Sequence, residues 1–222
     1  GLIEASNAVL EAWVPGEEGA GAIVSALLGE LNPGGKLPVS IARSVGQVPV
    51  FYNYKPSGMR SNIYGDYVNE SIKPLFAFGH GLSYTQFEYS NLSLDKQNAS
   101  LNDTLRVSLD VSNIGKVAGD EVVQLYTSDE YAEFPRPVKE LRGFVRLHLL
   151  PGQSKSICFD LPVNMLAYYG EGLKLVLEPG TVKILVGSSS EDIRLQAAFE
   201  VRGETKQIVN DRVLDCPVTV TQ

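Results

Sequence analysis

The sequence is poor in the residues that most often hold metals. Its 222 residues include two cysteines, Cys158 and Cys216, and two histidines, His80 and His148. These four have none of the short spacings of zinc ligands, so we expect no metal site. One disulfide between the two cysteines stays open beside the alternative of a buried thiol and a tail thiol, because a core of this size needs no covalent staple.

Long apolar runs and basic clusters are also missing. Gly, Pro and Asn interrupt every apolar stretch before it could cross a bilayer, so we expect no membrane partner. The net charge of −7 without a Lys/Arg cluster argues against a nucleic-acid partner. The chain begins at Gly1 without Met or leader, which suggests a mature, processed or excised chain and leaves cytoplasm, periplasm and secretion all open.

Residues 1–50 have an α/β pattern. An apolar, strand-like run at 9–13 is followed by a helical pattern at 17–28 and a predicted strand at 36–41. A single strand–helix–strand unit cannot bury both faces of a parallel sheet. We therefore interpret residues 1–50 as the incomplete end of an α/β domain whose remaining strands lie elsewhere.

Residues 51–84 read as a connector rich in aromatic side chains. The aromatics follow no period and are mixed with Gly, Pro, Asn and Ser, which is typical of a loop lying across a surface. They are Phe51, Tyr52, Tyr54, Tyr64, Tyr67, Phe76, Phe78 and Tyr84.

From residue 85 to 201 the chain reads as all-β. Short runs with partial alternation are separated by turn signals such as Pro151-Gly152 and Pro179-Gly180, which predicts an antiparallel β-sandwich in a mostly β fold. The predicted strands are 86–94, 104–113, 120–128, 138–149, 154–161, 172–177, 181–187 and 193–201. Residues 202–222 are interpreted as an extra edge strand or a loose tail.

Several motifs resemble family 3 glycoside hydrolases, in that family's order. Segments 12–19, 28–38, 43–49 and 74–84 are similar to the end of its α/β sandwich domain and the signatures that follow. Segments 111–115, 119–126, 136–144 and 150–153 resemble its fibronectin type III-like, that is immunoglobulin-like, domain. The resemblance covers residues 8–201 and is closest to bacterial β-glucosidases, with β-xylosidases next.

The resemblance implies a parent enzyme that retains anomeric configuration with two carboxylates and no cofactor. It would remove a terminal β-linked glucose, or as the alternative xylose, from a non-reducing end. In the family, the nucleophilic Asp and the acid/base Glu lie upstream of the segments seen here. We therefore expect no catalytic residue in this chain, which should be inactive alone, and expect the barrel and α/β domains as its partners; a homodimer is compatible with the resemblance.

The connector holds the candidate sugar contacts. Tyr54, Arg60, Tyr64 and Tyr67 combine aromatic faces with polar tips, the composition of a sugar-contacting loop. The alternative is that the connector is a strap, which attaches the sandwich to the catalytic domains through its aromatics. Both roles are compatible.

A stand-alone module that binds carbohydrate or protein is the alternative from another functional class. It would need a row of exposed aromatics on one face of the sandwich. Tyr126, Phe144, Phe159 and Phe199 fall instead within apolar strand runs, so we expect all four in the core. A third interpretation is a processed chain that stays bound to the rest of an active enzyme, because its incomplete α/β unit would otherwise expose apolar surface.

Overall fold

The computed structural model describes residues 3, 5–56, 70–129, 131–203 and 207–222. It contains one α-helix among these residues, α1 (Gly19–Leu27), and is otherwise mostly β. This confirms the predicted fold class. The strands are β1 (Phe87–Leu94), β2 (Asn98–Ala99), β3 (Thr104–Asn113), β4 (Gly119–Asp129), β5 (Glu140–Leu149), β6 (Ser154–Pro162), β7 (Tyr168–Tyr169), β8 (Leu175–Leu177), β9 (Gly180–Gly187), β10 (Ile193–Val201), β11 (Gln207–Ile208) and β12 (Val218–Thr221). Short 3₁₀ helices lie at Val45–Gln47, Val163–Leu166 and Glu171–Leu173.

Two sheets form the sandwich. The four-stranded sheet has the order β1-β3-β6-β12, and the five-stranded sheet has the order β2-β10-β9-β4-β5. Neighbouring strands are antiparallel except for the short β2, which is parallel to β10. A separate small sheet contains β11, β8 and β7.

The core lies between the two sheets because each long strand alternates its burial. On β3, Leu105, Val107, Leu109 and Val111 are almost completely buried while their neighbours are more exposed. Side chains along a strand point to opposite faces in turn, so this two-residue period directs one face inward. Burying each such side chain stabilises the fold by roughly 1.5–3 kcal/mol.

The C-terminal residues contain an edge strand rather than a loose tail. Strand β12 pairs antiparallel with β6, with Val218 opposite Phe159. Val209 and Cys216, which precede this strand, are buried. Both cysteines are free thiols, so they do not form the disulfide that the sequence left open.

The strand expected at 36–41 is not formed. Ile41 makes only an isolated bridge with Phe76, while Leu37 donates its N–H to the His80 carbonyl at 2.8 Å. This segment thus lies irregularly against the end of the connector, and Pro38 has no N–H to continue a ladder. The strand-like run at 9–13 is likewise irregular.

Two predictions within the sandwich are corrected. Phe144 is 63% exposed, whereas Phe159 and Phe199 are buried in the core as expected, and Tyr126 is buried beneath the connector. Phe144 shares the outward face of β5 with Arg146, since Leu147 and Leu149 occupy the alternate, buried positions. The predicted strand 172–177 is reduced to Leu175–Leu177 because the chain turns before it through Gly172, which has φ +66°.

Candidate functional site

The connector returns to the sandwich and covers the outer face of β4 with aromatic rings. Tyr52 stacks on Phe78 with ring centroids 4.3 Å apart and 18° between their planes. Tyr52 also makes an edge-to-face contact with Tyr126, with the two ring centroids 5.9 Å apart. Leu141 on β5 donates its N–H to the Tyr52 hydroxyl at 3.2 Å. The two ends of the connector are therefore held together on the five-stranded sheet.

Gln124 of β4 lies at the centre of this contact. Its Nε2 donates to the Ser188 carbonyl at 2.6 Å and to the Gly79 carbonyl at 3.3 Å, and its Oε1 accepts from the Tyr126 hydroxyl at 2.5 Å. Burial raises the pKa of that hydroxyl above its ordinary value, so it remains a donor. Gly79 has φ +80°, and a Cβ there would overlap the Gln124 carboxamide. The connector approaches β4 this closely only because residue 79 is a glycine.

A buried ion pair joins the α/β end to the same strand. Lys36 Nζ lies 3.1 Å from Glu121 Oε1, and the exposed fractions of the two side chains are 10% and 6%. Lys36 also donates to the Gly81 carbonyl at 2.8 Å. Removing one partner would leave the other charge buried and unpaired, which is costly.

His80 fills space at this junction. Its ring stacks on Phe76 with centroids 5.2 Å apart. Burial and the nearby Lys36 ammonium lower the pKa of His80, although Asp192 acts in the opposite direction. Among the residues that the structure describes, no group of His, Cys, Asp and Glu is arranged to hold a metal ion.

The sequence-predicted site residues are only partly within the described chain. Tyr54 is half-buried, and its carbonyl accepts the Val138 N–H at 2.9 Å, so its backbone is attached to the sandwich. Arg60, Tyr64 and Tyr67 lie outside the described residues. Their role as sugar contacts stays a prediction.

Sequence reasoning missed the polar residues that make the junction. Lys36, Glu121 and Gln124 look like ordinary surface residues in a linear sequence, and nothing in their local pattern assigns them a partner. A faint signal exists for Gln124, which interrupts the apolar run 122–126. A polar residue in such a run is a candidate for a buried, hydrogen-bonded position.

Helix α1 presents an apolar surface to solvent. Its sequence GAGAIVSAL contains no charged residue, and Val24, Leu27 and the following Leu28 are exposed. Beside it lies an apolar groove of about 340 Å³. The groove is lined by Leu10, Ala12, Pro15, Glu18, Gly19, Ala22, Ile23, Ala26, Leu31 and Pro33. A helix that is apolar all round is typical of a buried position, so this surface fits a further packed layer.

Comparison with known families assigns both parts of the chain. Residues 2–84 match the glycosyl hydrolase family 3 C-terminal domain, and residues 121–190 match a fibronectin type III-like domain. The chain belongs to glycoside hydrolase family 3, and it matches the C-terminal part of that family's members. In the portion of the chain that the structure describes, no helix is long and apolar enough to span a membrane.

Family 3 relatives of both expected specificities are similar to the chain. A β-xylosidase of Formosa agariphila is 45% identical, covering 86% of this chain and 26% of the relative. The thermostable β-glucosidase B of Acetivibrio thermocellus is 40% identical, covering 92% of the chain and 28% of the relative. The β-glucosidase of Listeria innocua in complex with glucose has a TM-score of 0.86 and 36% identity, covering 92% of this chain and 29% of that chain. The chain thus spans between a quarter and a third of the length of these relatives.

Proposed function

We propose that the chain is the C-terminal structural portion of a retaining, β-glucosidase-like family 3 glycoside hydrolase. The observation that carries the proposal is the uncharged helix α1, whose apolar face is exposed in a chain that covers 26% to 29% of its relatives. In this proposal the β-sandwich stabilises the catalytic domains, and the apolar face of α1 packs against them.

The energetics of α1 support this role. Val24, Leu27 and Leu28 are all at least half exposed. Burying a large aliphatic side chain is worth roughly 1.5–3 kcal/mol, so covering these three would contribute several kcal/mol to association. The neighbouring groove adds apolar surface lined by Ile23 and Leu31. A partner with apolar strands or helices, such as the remainder of an α/β domain, has the complementary chemistry.

The proposed reaction of the whole enzyme is the removal of a terminal β-linked glucose from the non-reducing end of a saccharide. The two carboxylates that such hydrolysis requires would come from the barrel and α/β domains, and this chain alone would be inactive. A β-xylosidase is the second candidate, favoured by the 45% identity to the Formosa agariphila enzyme. A stand-alone binding module is the third candidate; Phe144 is exposed and could contact a ligand, whereas Tyr126, Phe159 and Phe199 are buried.

The connector has two compatible roles in this proposal. The Tyr52–Phe78 stack and the Tyr54 carbonyl support a strap that holds the connector on the sandwich. With the connector attached in this way, Tyr54, Arg60, Tyr64 and Tyr67 would line the rim of the substrate site. The aromatic and polar composition of the segment supports that second role.

Hydrolysis of aryl β-glucoside and aryl β-xyloside tests the proposal. We would compare the 222-residue chain with the full-length family 3 enzyme of which it is proposed to be a portion. We expect turnover by the longer protein and none by the chain. Turnover by the chain alone would contradict the expected absence of both carboxylates, and a longer protein inactive on both substrates would contradict the proposed reaction class. The ratio of the two kcat/KM values would decide between glucose and xylose.

A further inference from the structure

Asn32 connects the end of the α/β part to two segments of the sandwich region. Its Nδ2 donates to the Ala118 carbonyl at 2.8 Å, in the turn between β3 and β4. Its Oδ1 accepts the Tyr84 N–H at 2.8 Å and the Ser83 hydroxyl at 3.0 Å. One side chain therefore satisfies groups from two segments that are far apart in the sequence.

Glycines make this close approach possible. A Cβ on Gly119 would lie 2.6 Å from Asn32 Nδ2, and a Cβ on Gly34 would lie 2.6 Å from the Asp120 Cβ. Both distances are far shorter than a van der Waals contact. The turn that contains Asn32 and Gly34 is thus fitted to the start of β4 in one position.

Tyr84 carries the connection back to helix α1. Its hydroxyl donates to the Ala26 carbonyl at 2.8 Å, in the last turn of the helix. Ala26 is almost completely buried, and Tyr84 lies three residues before β1 begins. The chain therefore leads from the end of α1 to Asn32, which is hydrogen-bonded to Tyr84, and Tyr84 is hydrogen-bonded back to α1.

We infer that Asn32 and Tyr84 form a clasp that attaches the C-terminal end of helix α1 to the β-sandwich and restrains its local opening. A helix on a flexible linker would open locally, with little dependence on the sandwich. A helix held by the clasp can open only when the Asn32 and Tyr84 hydrogen bonds break. The sandwich thereby sets the position of α1, whose apolar face meets the catalytic domains in the proposed function.

Hydrogen exchange of the 222-residue chain tests the clasp. We would measure the amides of Leu28 and Glu30, which donate to the carbonyls of Val24 and Ser25 at the end of α1. A single hydrogen bond contributes about 0.5–1.5 kcal/mol, which corresponds to about 2- to 13-fold in an opening equilibrium. We expect Tyr84→Phe to accelerate these amides by about that factor, and Asn32→Ala, which loses three hydrogen bonds, to accelerate them by at least as much, while the amides of β3 and β6 keep their protection.

Two further variants make the test specific. Asn32→Asp keeps the acceptor for Tyr84 but places a carboxylate oxygen opposite the Ala118 carbonyl, so we expect it to accelerate the α1 amides at least as much as Asn32→Ala does. Asn164 is a matched control, because it also donates to one carbonyl, that of Asp211, and accepts one N–H, that of Val213. We expect Asn164→Ala to leave the α1 amides unchanged.

The clasp would be overturned if the exchange rates of the α1 amides were unchanged in both Asn32→Ala and Tyr84→Phe. It would also be overturned if Asn164→Ala accelerated them equally, or if Asn32→Asp left them as protected as they are in the unmodified chain. The inference rests on the proposed function only where it states that the apolar face of α1 packs against the catalytic domains. Exchange is read in this chain without substrate, so a failure of the clasp and a failure of the glycosidase proposal are separate results.

Discussion

Lys36 Nζ and Glu121 Oε1 lie 3.1 Å apart in an almost solvent-free position between the α/β end and strand β4. Within the described residues, Lys36 and Glu121 form an ion pair with each other and with no other charged side chain. The pair therefore links the two parts of the chain, because removing either charge would leave the other buried without a partner.

Replacing Lys36 should destabilise the chain strongly. Lys36→Met leaves the Glu121 carboxylate buried without its cation, which costs about 3–5 kcal/mol in comparable pairs. Urea unfolding measures the free energy of unfolding. The matched control is Arg106→Met, because the pair between Arg106 and Asp160 is exposed and should cost less than about 1 kcal/mol. Equal losses in the two variants would contradict the importance assigned to the buried pair.

Gln124 should tolerate neither truncation nor a negative charge. Gln124→Ala leaves the Ser188 and Gly79 carbonyls without their donor, and an unsatisfied buried group costs about 1–3 kcal/mol. Gln124→Glu should be worse, because a carboxylate would face those two carbonyls. Thermal unfolding compares both variants with Gln196→Ala, a glutamine exposed on β10. A midpoint for Gln124→Ala equal to that of the control would show that Gln124 does not hold the connector.

The apolar face of α1 should behave as an interface. Leu27→Ser removes an apolar side chain that is 70% exposed, so we expect the isolated chain to keep its stability and aggregate less. In the full-length enzyme of the proposed function the same change should lower the unfolding midpoint, because the side chain would be buried there. Leu214→Ser is the control, since Leu214 is 73% exposed in the C-terminal segment. Light scattering and calorimetry measure the two effects; identical behaviour of both variants would argue against an interface on α1.

Cys216 should be unreactive towards alkylation in the folded chain. Burial raises the pKa of its thiol to about 12, and only the thiolate is a nucleophile. At pH 8 the thiolate fraction is therefore about one in ten thousand. In a Cys158→Ala background we expect iodoacetamide to modify Cys216 only after unfolding, as followed by intact mass. Rapid modification of the folded protein at pH 8 would contradict the burial of this thiol.

The aromatic and apolar pattern of the sequence was sufficient to predict the sandwich. On β3 the two-residue alternation is a local property, and it places Leu105 and Val107 on one face whatever lies opposite. The exposed Phe144 shows the limit of that reasoning, because the identity of a residue does not reveal which face of the strand it occupies. The family motifs carried the resemblance that the later comparisons confirmed.

The site depends on contacts between residues far apart in the sequence. Lys36 and Glu121 are separated by 85 positions along the chain, and no local period relates them. Residues 36–41 have an apolar, strand-like composition, but a strand forms only where a neighbour supplies backbone partners, and here the end of the connector supplies them irregularly. The same reason applies to β12, which became an edge strand because β6 had a free edge.

The amino-acid sequence by itself determined the mostly β class, the positions of the long strands and the family resemblance, because alternation, turn residues and motifs are properties of neighbouring residues. Only the tertiary structure decided that Gln124, Lys36 and Asn32 join the α/β end to the sandwich. A buried polar residue acquires its role from the groups that surround it, and those groups come together only when the chain has folded.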